Sequence, residues 1–204
     1  MIHLIVALPA EARGLAWGLG LQRLTSGDGL RQVFCGRGLR VEVCGPGRHR
    51  AATAVESIGA GSGSREPQGW LNVGIAGHRD LTSGTCLLAE EILESATGQS
   101  WRPTLPFRSN LPKVTVCTVD RPETEFATSA AYDMEASGFF AAASRFVRPG
   151  LVQVCKVVSD NRGDDLTQLT ADRVEGLICV ACLQLSELVE QMTGALRSRD
   201  SYQD

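Results

Sequence analysis

Runs of almost unbroken apolar residues recur along this 204-residue chain: IHLIVAL at 2–8, WLNVGIAG at 70–77, VTVCTV at 114–119 and LVQVCKVV at 151–158. A strand with one wet face alternates apolar and polar side chains, whereas a strand covered on both faces does not. These runs are rich in β-branched residues and short, so they predict buried strands rather than helices. GTCLLAEEIL adds a further strand, and VFCGRGLRVEVCG reads as a hairpin around GRG. Helical segments separate them. AEARGLAWGL starts at once after Pro9, and RHRAATAVESIGAG reads as a helix ended by Gly59. AYDMEASGFFAAASRF turns from extended to helical around Met134, and an amphipathic helix runs from about Leu166 to Leu196. The stretches GSGSREPQG, 94–113 and DRPETEFATSA read as loops, the last with one helical turn. The expected fold is α/β: a three-layer α/β/α sandwich with a mixed, largely parallel central sheet. No repeat or linker divides it, so a single domain is expected over 1–196, with a frayed tail at 197–204.

Composition narrows the function. A formal net charge of -3 and a pI near 5.7 argue against a nucleic-acid partner. The apolar N-terminal run ends at Pro9 and Glu11, too early for a signal peptide or a membrane span. Seven cysteines, an odd number spread through apolar runs, point to reduced thiols in a cytoplasmic protein. Cys179 and Cys182 have CxxC spacing but lie in the apolar run LICVACLQL, which reads as core packing. His3, His49 and His78 show no metal-ligand spacing.

The carboxylates carry the chemistry. Glu135 sits inside the apolar, small-residue segment AYDMEASGFF, and a buried carboxylate is costly without partners. Glu11 follows the first strand, and Asp160 follows LVQVCKVVS. All three acids fall just past predicted strand ends, where open α/β sheets bind ligands. Two glycine-bearing strand ends accompany them: CGPGRHR, with Gly45 and Gly47, and NVGIAGH, with Gly74 and Gly77. Glycine there lets backbone N–H groups approach a ligand closely. Each acid also has a structural explanation: helix-dipole compensation for Glu11, a turn or cap for Asp160, and an ion pair with an arginine such as Arg48 for Glu135.

Their order along the chain resembles the nucleoside phosphorylase superfamily, most closely its 5′-methylthioadenosine/S-adenosylhomocysteine nucleosidase branch. IVALPAEA resembles the family's first strand and Glu-bearing helix start, CGPGRHRAATA its glycine turn and following helix, and NVGIAG its central strand end. YDMEA is similar to its Met-Glu motif and VVSD to its Ser-Asp motif.

The resemblance implies a purine nucleosidase. Glu135 would accept hydrogen bonds from ribose hydroxyls, with Met134 against the sugar's apolar face. Asp160, oriented by Ser159, would be the general acid at the purine, and Glu11 the base that activates water. Gly74, Ala76 and Gly77 would border the substrate, Phe126 would act as an aromatic lid, and Gly47 and Arg48 are candidates for an anion contact. His78 has two readings, facing the sugar or lying in a solvated loop. A carboxylate at the nucleophile position, and Ile75 where a hydroxyl residue is common, favour hydrolysis over phosphorolysis. Arg13, Arg37, Arg48 and Arg50 keep phosphorolysis as an alternative. GIAG is also reminiscent of futalosine hydrolases, and the altered segment between Gly84 and Thr118 admits a nucleoside-binding protein with weak catalysis. The implied partner is a small-molecule nucleoside, with no cofactor, no metal and no membrane, and family members commonly form homodimers.

Overall fold

The computed structural model describes residues 1–24, 32–61, 68–164 and 168–198. β1 (Ile2–Val6) leads into α1 (Pro9–Leu19), then the short strand β2 (Gln22–Leu24) and the hairpin of β3 (Val33–Gly36) and β4 (Leu39–Val43). α2 (Arg48–Gly61) is followed by β5 (Gly69–His78), β6 (Cys86–Glu94), β7 (Ser100–Trp101) and β8 (Lys113–Thr118). β9 (Ala131–Asp133) precedes α3 (Ala136–Ala143), and β10 (Val152–Asp160) precedes α4 (Ala171–Arg197).

The strands form one mixed sheet in the order β10-β6-β8-β9-β5-β1-β4-β3-β2, with β7 beside β6. β10 also pairs with β5, so β5, β10, β6, β8 and β9 close into a ring while β1, β4, β3 and β2 continue outward. β4, β1, β5 and β10 are mutually parallel, which puts their carboxyl ends on one rim. The antiparallel pairings come from the β3–β4 hairpin, the short strands β2, β7 and β9, and the contact of β6 with β10.

Alternate residues of a strand face opposite sides, and both sides are covered. Leu4, Val6, Leu71, Val73, Cys155 and Val157 meet α1 and α4, whose Leu15, Ile178, Leu185 and Met192 are buried there. Ile5, Trp70, Val152, Val154 and Val158 meet the side of α2 and α3, with Val55, Phe139 and Phe140. That double coverage is why these strands read as continuous apolar runs. All seven cysteines are free thiols, and Cys182 is packed in the core. Among the described residues no helix is long and apolar enough to cross a membrane.

Four details differ from the sequence expectation. Gly59 does not end α2, which runs to Gly61; a Cβ at Gly59 would lie 2.6 Å from the ring of Phe146, so this glycine serves packing. The loop after β8 contains no helical turn, and α4 begins at Ala171, where the Thr170 side chain caps it by accepting from the Arg173 N–H. The stretch at 165–167, where that helix was expected to start, lies outside the described residues, as do 62–67 of the predicted loop and 199–204 of the predicted tail. Finally, β2 and β7 escaped detection because two or three residues carry no period.

His3 of β1 is buried and stacked on Trp70, with ring centroids 4.6 Å apart. Burial, helped by Arg40 and the N-terminal amine, lowers its pKa to about 4. Between that value and the ordinary 6.5 the unfolded chain binds a proton that the folded chain refuses, so stability falls as pH drops through this window. The full difference amounts to roughly 3 kcal/mol. On going from pH 7 to pH 4 a His3→Phe variant, which keeps the stacking, should therefore gain urea midpoint relative to the parent protein, whatever the carboxyls common to both contribute.

Candidate active site

The rim formed by the carboxyl ends of β1, β4, β5 and β10 borders a cavity of about 230 Å³. Of the residues expected from sequence, Glu11, Ala76, Gly77, Met134, Glu135, Ser159 and Asp160 line it. Gly47, Arg48, Gly74 and Phe126 do not, and each has a different task.

Glu11 stands in the first turn of α1 and is 1% exposed. Its Oε2 accepts the backbone N–H groups of Ala7 (2.9 Å) and Leu8 (2.8 Å), and its Oε1 accepts that of Ile75 (2.9 Å). Glu11 thus does more than compensate the helix dipole: its carboxylate caps the start of α1 and ties α1 to β5. Burial pushes its pKa up, while the donors at Leu8, Ile75 and Ala7 and the ammonium of Lys156 pull it back. With a single N–H donor, Oε1 keeps a lone pair. A Cβ at Gly74 would lie 2.9 Å from Oε1, so this glycine supports Glu11 rather than touching a ligand.

Glu135, 6% exposed, immediately precedes α3, and its Oε1 accepts the Gly47 N–H at 2.8 Å. Gly47 has φ +105°, a conformation open to glycine, and its N–H serves the glutamate rather than an external anion. Burial raises the Glu135 pKa to about 7; Lys156 opposes the rise and Asp133 adds to it. The suggested ion pair with Arg48 is not formed. Arg48 bonds Asp120 and approaches Glu94 at 3.6 Å, so it is also spent as an anion contact. The cation acting on Glu135 is Lys156.

Asp160 ends β10, where the register against β5 shifts between Val158 and Asp160. The Ser159 hydroxyl donates to its Oδ1. Burial raises the Asp160 pKa against that donor. A Cβ at Gly77 would fall 2.6 Å from the Phe126 ring and 2.9 Å from Asp160 Oδ2. Phe126 is therefore no lid: with φ +47° and 2% exposure it packs behind Gly77, edge-on to Tyr132 at 6.0 Å. Arg162 pins its loop by donating to the carbonyls of Glu125 (3.2 Å) and Phe126 (3.3 Å). Val119, Pro122 and Tyr132 line the cavity in its place. His78 is buried, its Nδ1 accepting from the N–H groups of Asp80 (3.0 Å) and Leu81 (3.1 Å), so it holds a turn.

Three polar residues were missed from the sequence: Asp133, Lys156 and Glu123. Lys156 is 0% exposed, with its ammonium 2.8 Å from Asp133 Oδ2. The signal was a lysine at the centre of an otherwise apolar strand. Glu123 lines the cavity while its Oε1 accepts from the N–H groups of Thr124 (2.9 Å) and Glu125 (2.7 Å).

The fold is shared with solved structures of 5′-methylthioadenosine nucleosidases and of a futalosine hydrolase. No protein-family model matches the sequence, and no curated protein matches it; solved structures do. The 5′-methylthioadenosine nucleosidase of Arabidopsis thaliana superposes with a TM-score of 0.74 at 17% identity, covering 95% of this chain and 96% of that one. The 5′-methylthioadenosine/S-adenosylhomocysteine nucleosidase of Colwellia psychrerythraea, in complex with adenine, gives 0.68 at 18% identity over 96% and 95%. The futalosine hydrolase of Helicobacter pylori gives 0.68 at 15% identity over 93% and 97%.

Proposed function

We propose that this chain is a nucleosidase that hydrolyses the N-glycosidic bond of a purine nucleoside of the methylthioadenosine/S-adenosylhomocysteine type, releasing free base and sugar. The convergence of Glu11, Glu135 and Asp160 on one cavity, each with its pKa raised by burial, carries this reading. Departure of the base leaves an oxocarbenium-like sugar and requires a proton on the purine. Asp160, its pKa raised by burial and its carboxyl oriented by Ser159, is the group placed to supply it. Glu135 offers Oε2 to the ribose hydroxyls while Gly47 holds Oε1. Glu11 takes the proton from an attacking water with the lone pair left on Oε1.

Water is favoured over phosphate because none of Arg13, Arg37, Arg48 and Arg50 lines the cavity. Arg13 is instead paired with Glu175 at 2.6 Å. Among the described residues a phosphate dianion would meet Glu11, Glu123 and Glu135 with no lining guanidinium to offset them. A second reading, cleavage of futalosine, rests on the equal superposition with the futalosine hydrolase.

The test is base release from methylthioadenosine, adenosine, inosine and futalosine, with and without phosphate. Equal rates in phosphate-free buffer are expected, with methylthioadenosine the best substrate. A phosphate requirement with a sugar 1-phosphate product would make the protein a phosphorylase. Tight binding by calorimetry without turnover would make it a binding protein.

A further inference from the structure

We propose that Asp133, acting with the buried Lys156, is a positioning residue that fixes the placement and the charge of Glu135; this rests on the nucleosidase reading. The Asp133 side chain is wholly buried, and four donors surround it. Its Oδ1 accepts the Thr118 hydroxyl at 2.7 Å. Its Oδ2 accepts the N–H groups of Glu135 (3.1 Å) and Ala136 (2.8 Å) and lies 2.8 Å from the Lys156 ammonium. Thr118 in turn accepts the Ser137 N–H at 3.0 Å. One carboxylate therefore joins the end of β8, the start of α3 and the middle of β10.

Two consequences meet at Glu135. By accepting the Glu135 N–H and the next one, Asp133 caps α3 and fixes the backbone from which the Glu135 side chain reaches the cavity. By standing against Lys156 it keeps an ammonium charged where burial alone would expel the proton. Burial lowers the Lys156 pKa, but Asp133, Glu135 and Glu11 together carry it above its ordinary value. The groups facing Glu135 are Asp133 from β9, Lys156 from β10, Glu11 from α1, the N–H of Gly47, and Cys44 beyond β4. The Cys44 thiol is pushed up to about 12 and stays neutral. Lys156 thus faces three carboxylates. Removing the charge of Asp133 still leaves Glu135 and Glu11 to hold the ammonium, and Glu135 then ionises more easily.

Asp133→Asn keeps the side-chain shape and removes the charge. It is expected to lower the acid limb of the kcat/KM profile for base release by about one pH unit. At pH 8, where Glu135 is ionised in both forms, kcat should still fall about tenfold because the carboxylate is misplaced. Asp133→Glu should restore the position of the limb. A merely structural role would cut activity only in step with folded fraction and leave the limb in place, and that result overturns the proposal. The Glu135 carboxyl can also be titrated directly by ¹³C NMR without substrate, assigned by its loss in Glu135→Gln. An unshifted titration in folded Asp133→Asn refutes the positioning role whether or not the protein is a nucleosidase. Absence of base release by the wild type, with the shift present, refutes only the nucleosidase reading. Should Asp133→Asn not fold, Lys156→Gln gives the second measurement: the Glu135 titration must move upward, and no movement sinks the proposal.

Discussion

Asp160→Asn should cut base release by about 10²–10⁴-fold, the usual contribution of a positioned acid, while leaving the protein at least as stable as before. An asparagine fills the same space beside Ser159 and Gly77 but has no acidic proton to give a departing purine. The carboxyl it replaces is buried at 7% exposure, and its raised pKa reports a site that disfavours the charge. Asparagine can never carry that charge, so the variant escapes a cost that serves chemistry rather than folding. Turnover by chromatography and urea unfolding on the same preparation check both halves. Activity within a few-fold of wild type would remove Asp160 from the mechanism.

The largest stability effect is expected from Gly138→Ala. A Cβ at Gly138 would lie 2.0 Å from the carbonyl oxygen of Arg48 and 2.6 Å from its carbon, a backbone contact that no rotamer change relieves. The first turns of α2 and α3 must separate, at a cost of about 1–3 kcal/mol or more. The residue before Arg48 is Gly47, whose N–H holds Glu135, three residues ahead of Gly138. The variant should therefore lose its urea midpoint and also weaken substrate binding, raising KM. A stability change below about 0.5 kcal/mol would show that the helices part without resistance.

Much of this was legible in the sequence because it followed from local rules. Continuous apolar runs announced doubly covered strands, Pro9 announced α1, and acids placed just beyond strand ends announced the rim. What stayed hidden depended on partners far away in the chain. Arg48 was a plausible partner for Glu135, but Asp120 and Glu94 claim it. Phe126 was a plausible lid, but the missing side chain of Gly77 draws it beneath the wall. Lys156 passed unnoticed because its strand is apolar on both faces, so a single ammonium did not disturb the pattern. Of the CxxC pair, read from the sequence as core packing, Cys182 is buried against Gly18 of α1 while Cys179 is only half-buried.

Ring closure has a consequence for the order in which the molecule is built. β10 pairs with β5, Val152 opposite Trp70, and with β6, Cys155 opposite Leu88. Contacts between such distant parts of a chain form late, since their loop entropy is lost before any pairing compensates. During synthesis β5 therefore waits with one hydrogen-bonding edge open and its apolar side chains unpaired, the condition in which nascent sheets aggregate. Asp160 is the last residue of the strand that ends this exposure. Whatever delays the docking of β10 thus delays the acid as well, and a chain interrupted before Val152 carries both the sticky edge and an unfinished site.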